Sequence, residues 1–139
     1  MLGGDGIIYL RDNGCEVEGL KFYGSPWQPW YHNWAFNVPR GQLHQHWDKI
    51  PANLDVLLVH GPPMGFGDLT AKRERAGCEE LLNALYEKVP KNVFYGHIHE
   101  DTGSWRFNQG ETMLYNCSIG PIFSWLSELS AGRPVVLDI

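Results

Sequence analysis

Leu54-Asp55-Val56-Leu57-Leu58-Val59-His60-Gly61-Pro62-Pro63 and, further on, Val93-Phe94-Tyr95-Gly96-His97-Ile98-His99-Glu100 follow one plan. In each, a short apolar run ends in a glycine-containing turn that carries histidine. Continuous rather than alternating apolar residues predict strands buried on both faces of a sheet. Between them, Gly77 to Lys88 places Leu81, Leu82 and Leu85 on one helical stripe. Strand, helix, strand is a βαβ unit, whose strands are parallel and whose crossover is right-handed. Open α/β sheets bind ligands beyond the carboxyl ends of their strands, where both histidine turns fall. The fold class read from these two stretches is α/β.

Outward from this unit the pattern turns antiparallel. Ile7-Ile8-Tyr9-Leu10 predicts a strand closed by the turn Arg11-Asp12-Asn13-Gly14, with Glu16 to Tyr23 returning as its hairpin partner. Trp27-Gln28-Pro29-Trp30-Tyr31-His32-Asn33-Trp34 has no clean period and reads as a loop. A helix is expected after Pro39, with Leu43 and Trp47 on one face, ended by Pro51. Beyond His99, Ser104–Phe107 and Thr112–Asn116 predict a hairpin around Asn108-Gln109-Gly110, and Pro134–Ile139 predicts a last strand.

The chain has 139 residues, 43% of them hydrophobic, and no linker-like stretch, as expected for a single domain spanning 1–139. A net charge of −5 with no basic run argues against non-specific nucleic-acid binding, which depends on neutralising phosphates. No apolar run approaches the ~20 residues of a bilayer span, and the first residues do not resemble a signal peptide. Cys15, Cys78 and Cys117 are isolated and odd in number, which fits a reducing, cytoplasmic setting better than a disulfide scaffold or zinc cage. None has a paired base, so nucleophilic catalysis has no support.

His60, His97 and His99 are the candidate metal ligands. Neutral imidazole suits Zn, Fe or Mn, and a His-X-His pair sends both rings to one ion or one ring to each of two. Gly61 and Gly96 leave room for a ligand near the backbone.

These two turns resemble the last two metal-ligand blocks of the calcineurin-like metallophosphoesterases. Phe22-Tyr23-Gly24-Ser25-Pro26-Trp27, Asn33-Trp34-Ala35-Phe36, Pro39-Arg40-Gly41, Trp47-Asp48-Lys49-Ile50-Pro51, Gly77-Cys78-Glu79-Glu80-Leu81-Leu82 and Tyr115-Asn116-Cys117-Ser118 narrow the resemblance to the metallophosphoesterase-domain-containing branch. It runs from Tyr9 to Asp138 and matches the C-terminal part of that domain. The resemblance implies a sandwich of two sheets flanked by helices and a dinuclear centre of Mn, Fe or Zn that hydrolyses phosphate esters. His60 and His97 would then hold one ion and His99 the other, with Glu100 behind the loop.

The family's earlier blocks, an Asp-X-His pair, a bridging aspartate and a Gly-Asn-His turn, do not occur in this chain, so no catalytic residue is assigned and an incomplete metal site is expected. Gly4-Asp5 is not preceded by the buried strand that the bridging aspartate needs. Exposed strand edges and apolar surface are expected too, and with them an oligomer, a missing N-terminal segment or a partner chain.

The pocket candidates are Trp27, Trp30, His32, Trp34 and Asn116: the aromatic loop is either a lid over the core or the wall of a phosphate-ester pocket. Asn116 either orients a histidine or caps a turn. Arg40 either meets a phosphate or is solvated. Asp68 is a further possible ligand or a turn former, and His44 and His46 are expected to be solvated helix residues.

Overall fold

The computed structural model describes residues 6–119, which build one six-stranded sheet in the order β1-β2-β5-β6-β8-β7. The strands are β1 (Asn13–Val17), β2 (Leu20–Ser25), β5 (Val56–Val59), β6 (Asn92–Tyr95), β7 (Gly103–Phe107) and β8 (Thr112–Asn116). β2, β5, β6 and β8 run parallel, while β1 and β7 are antiparallel edge strands. The expected βαβ unit is present, with helix α2 (Glu79–Lys88) crossing from β5 to β6. The expected hairpin of β7 and β8 is present as well.

Two features of the N-terminal hairpin differ from the sequence reading. Ile7–Leu10 is not a strand, and the predicted Glu16–Tyr23 strand is divided by a tight turn at Glu18-Gly19. Val17 pairs with Leu20, so only two residues connect the strands. Both have positive φ (51° and 82°), the twist that two-residue hairpins require. Asn13-Gly14 instead lies within β1, where Gly14 faces Tyr23 across the ladder.

The core lies on one face of the sheet. Tyr23, Leu57, Val59, Val93, Tyr95, Leu114 and Phe107 point to that face and pack with Leu81 and Leu85 of α2 and with Leu43 and Trp47. Leu43 and Trp47 are both buried as expected of one face, but α1 spans only His44–Trp47, with Leu43 at its N-cap. α2 begins at Cys78, whose thiol accepts from the Leu81 N–H, and ends at Val89 with a left-handed φ of 47°. Pro90 follows directly and cannot continue the helix.

The other face is only partly covered among the described residues, although Val56 and Tyr115 are buried there. Leu58 of central β5 is 39% exposed, so this strand is not buried on both sides along its whole length as its apolar run suggested. Phe22 and Phe94 on the same face are half-buried, and Ile7, Ile8 and Tyr9 are exposed. The expected strand 134–139 and Gly4-Asp5 lie outside the described residues. The aromatic loop is not wholly irregular: β3 (Gln28–Pro29) and β4 (Asn37–Val38) form a short parallel ribbon. Asn37 draws the loop closed by hydrogen bonds with Tyr31 and His32.

Among the described residues no helix is long and apolar enough to cross a membrane. Cys15, Cys78 and Cys117 are free thiols.

Candidate functional site

The parallel register of β5 and β6 sets the site. Leu58 pairs with Phe94, and the ladder extends past the strand ends through a Gly96 N–H···O=C His60 bond of 2.9 Å. His60 and Gly96 therefore stand abreast, and His97 follows immediately. The Ile98 N–H donates to the Gly96 carbonyl at 3.0 Å, closing a three-residue turn around His97. His97 has φ +74°, the value of the strained γ-turn rather than of its common inverse form. A non-glycine residue in this conformation is costly, and here it turns the imidazole toward His60.

The result is a contact of 3.1 Å between His60 Nε2 and His97 Nδ1. Desolvation pushes the pKa of His60 below its ordinary value, although the residue is exposed at the cleft mouth. His97 is lowered by desolvation first, then by the neighbouring His60 and His99, with Glu100 opposing. Both rings are thus biased toward the neutral form that ligates metal. With metal–nitrogen bonds of about 2.1 Å, a 3.1 Å separation suits two neighbouring ligands of one ion. The pair fits as two ligands of an ion and does not fit as a whole site. Among the described residues no three His, Cys, Asp or Glu side chains converge on a point.

His99 opens the 3-10 turn His99–Asp101, exposed on the same cleft. Glu100 lies beside it, its carboxylate accepting from the Ala71 N–H at 3.4 Å. Gly61 also lines the cleft, and a Cβ there would meet open space; at Gly96 one would press on Ser118 Oγ at 3.3 Å.

The cleft has a volume of about 710 Å³. Its aromatic side is Trp30, Tyr31 and Trp34. The Tyr31 ring stands edge-on to His97 with centroids 5.0 Å apart, and Trp34 does the same at 5.9 Å. Trp30 and Trp34 are 61% and 57% exposed, so they wall a cleft and do not roof the core. His32 lines the cleft beside them, whereas Trp27 packs against the core and stacks on His46.

The second side is the loop Thr70–Ala76, tightened by a β-bridge between Leu69 and Arg75. Sequence reading did not single out this loop as a cleft wall, and it included Tyr31 in the aromatic loop without naming it among the pocket candidates. The loop's only signal, Lys72-Arg73-Glu74-Arg75, reads in sequence as an ordinary charge run.

Other candidates have different roles in the structure. Asp68 is fully buried, pairs with Arg75 at 2.6 Å and accepts from the Gly77 N–H, so it shapes the loop and is committed there. Asn116 touches no histidine ring. Its amide donates to the carbonyls of Gly67, Ile98 and Asp101 (2.9, 2.8 and 3.0 Å) and ties the Gly67 loop and the turn at 98–101 to the end of β8 behind the cleft.

His44 is exposed as expected, but His46 is only 9% exposed. Its Nδ1 lies 2.8 Å from Asp12, which also accepts from Ser25 and Trp27. Two-residue spacing put these histidines on different faces, and one of those faces is covered by the chain near Asp12.

Together, parallel strands with paired imidazoles past their ends define an α/β protein. Comparison with other proteins carries this further. No family model matches the chain. It is 42% identical over 135 residues to metallophosphoesterase domain-containing protein 1 of Homo sapiens, covering 95% of this chain and 40% of that protein. It is 50% identical over 112 residues to UPF0046 protein T07D4.2 of Caenorhabditis elegans, covering 79% of this chain and 28% of that one. A solved crystal structure superposes with a TM-score of 0.58 at 19% identity, over 78% of this chain and 45% of its own, which supports the fold alone.

The chain belongs to the metallophosphoesterase-domain-containing branch of the calcineurin-like metallophosphoesterases and corresponds to the C-terminal part of that domain. It spans less than half the length of these relatives. The family implies a divalent metal cofactor in general.

Proposed function

We propose that this chain supplies the imidazole half-site and the substrate-facing cleft of a metal-dependent phosphoesterase acting on phosphodiesters or phosphomonoesters. The observation that carries this reading is the His60–His97 pair, 3.1 Å apart and biased toward neutrality, at the carboxyl end of a parallel sheet. His60 and His97 would hold one divalent ion, and His99 would reach toward a second. Such ions act as Lewis acids on phosphoryl oxygens and supply hydroxide near neutral pH. The chain's own part is to orient the imidazoles through the strained turn at His97 and to shield the reacting ester with Tyr31 and Trp34. Remaining ligands come from the part of the family's domain that precedes these motifs, in a longer chain or from another chain. The three free thiols support placing the protein in a reducing compartment such as the cytoplasm.

The test is metal content together with turnover of an aryl phosphodiester, with and without Mn²⁺, in the chain and in a His97→Ala variant. Metal-dependent turnover lost in the variant supports the reading. If no divalent ion binds the chain and His97→Ala changes neither metal content nor turnover, the reading is overturned for this chain. Because no third ligand converges among the described residues, a second reading is specific: a non-catalytic protein that binds ligand on its aromatic cleft. Turnover that rises steeply with protein concentration would show that the remaining ligands come from another chain.

A further inference from the structure

Arg40 enters the cleft from the loop before α1, and its surroundings are unusual for a solvated arginine. Its guanidinium donates to the Gly77 carbonyl at 2.7 Å and to the Ala76 carbonyl at 2.9 Å. Two carbonyls fix the plane of the group without neutralising it. Among the described residues no carboxylate lies within ion-pair distance of it; the nearby Glu80 is taken up by the N–H groups of Gly41 and His44. A guanidinium carries five N–H donors, so three remain. Arg40 thus presents an oriented, uncompensated cation in the same cleft as His60, His97 and Trp30. The other charges lining that cleft are Lys72, Glu74 and Glu100, the last already accepting from Ala71.

Resting on the phosphoesterase reading, we propose that Arg40 is an anion-binding residue of the cleft. It holds a second, non-reacting anionic group of the substrate while the ester phosphate lies at the paired histidines. The substrate class is then a phosphoester with a flat apolar body, set against Trp30 and Trp34, that carries a further carboxylate or phosphate. A charge-assisted, forked contact to an oriented arginine is worth about tenfold in affinity.

The experiment titrates tryptophan fluorescence with phenyl phosphate and with 3- and 4-carboxyphenyl phosphate in the presence of Mn²⁺. The expected result is about tenfold tighter binding of one carboxylated probe, falling to within twofold of phenyl phosphate in Arg40→Gln. Because Arg40 also clasps two loops, Glu74→Gln serves as a variant that leaves the clasp intact. It should tighten the carboxylated probe more than phenyl phosphate. Equal affinity of all three probes in the wild type, with unchanged behaviour in both variants, overturns the assignment of Arg40. The phosphoesterase reading stands in that case if His97→Ala weakens every probe, and fails with it if His97→Ala weakens none.

Discussion

Asn116 is the residue whose replacement should cost most for its size. It ends β8, is 3% exposed, and its amide nitrogen reaches three carbonyls on two segments, while its Oδ1 accepts from the Ser118 N–H at 3.1 Å. An NH₂ group has two hydrogens, so the three carbonyls share them. Asn116→Ala therefore removes about two net bonds to carbonyl and one to Ser118, in a site that water does not reach. At about 1 kcal/mol per net bond, with added cost for groups left dry, the expected loss is about 2–4 kcal/mol.

Urea denaturation should show a lower midpoint at unchanged slope. Asn116→Asp sharpens the test, because its carboxylate would face three carbonyls with no cation. Its folded pKa would lie above the unfolded value of about 3.9, so protonation favours the folded form. The stability of this variant should rise relative to wild type as pH falls from neutral through that raised pKa, levelling off below about pH 4. A loss under about 1 kcal/mol for Asn116→Ala, or a pH-independent gap for Asn116→Asp, would refute the reasoning.

Further expectations concern the backbone, the N-terminal anchor and the strained turn. Gly77→Ala places a Cβ 2.5 Å from the Pro63 carbonyl oxygen and 2.6 Å from Met64 Cα, backbone atoms that cannot swing away. It should cost about 2 kcal/mol or more, against under about 0.5 for Gly61→Ala in open space, as read by thermal unfolding. For Asp12, burial opposes ionisation, but hydrogen bonds from Ser25, His46 and Trp27 outweigh it and hold the carboxyl below its ordinary range. Its stabilisation is then complete above the unfolded pKa and lost as pH falls through the depressed folded pKa; Asp12→Asn should flatten that acid limb in a denaturation series and cost about 1–2 kcal/mol at neutral pH. His97 carries a φ of +74°, so His97→Gly should be more stable than His97→Ala by about 1 kcal/mol, with both losing metal affinity by calorimetry. Equal stability of the two variants would mean that the turn is not strained.

The apolar runs before His60 and His97, with a leucine-striped helix between them, sufficed for the parallel βαβ unit and for placing three histidines at one end of a sheet. Such patterns are legible because the core face of each strand, here Leu57 and Val59 or Val93 and Tyr95, needs apolar residues whatever the neighbours. The hairpin of β7 and β8 was legible for the same local reason. Turn chemistry misled at Asn13-Gly14, a strong hairpin dipeptide that lies inside β1, while Glu18-Gly19 makes the turn. Pairing of β2 with β5 chose that register by setting Phe22 and Tyr23 beside Val56 and Leu57, a constraint far outside any local window.

His46 was misread because the residue that buries it, Asp12, lies on another segment. By itself the sequence determined the fold class, the family and the identity of the candidate ligands, all of which depend on local pattern and motif. Only the tertiary structure decided that His60 and His97 meet at 3.1 Å, that the aromatic loop walls a cleft, and that Asn116 serves the backbone. These outcomes depend on strand register and on contacts between distant segments, which packing of the whole chain imposes and no short stretch of sequence encodes.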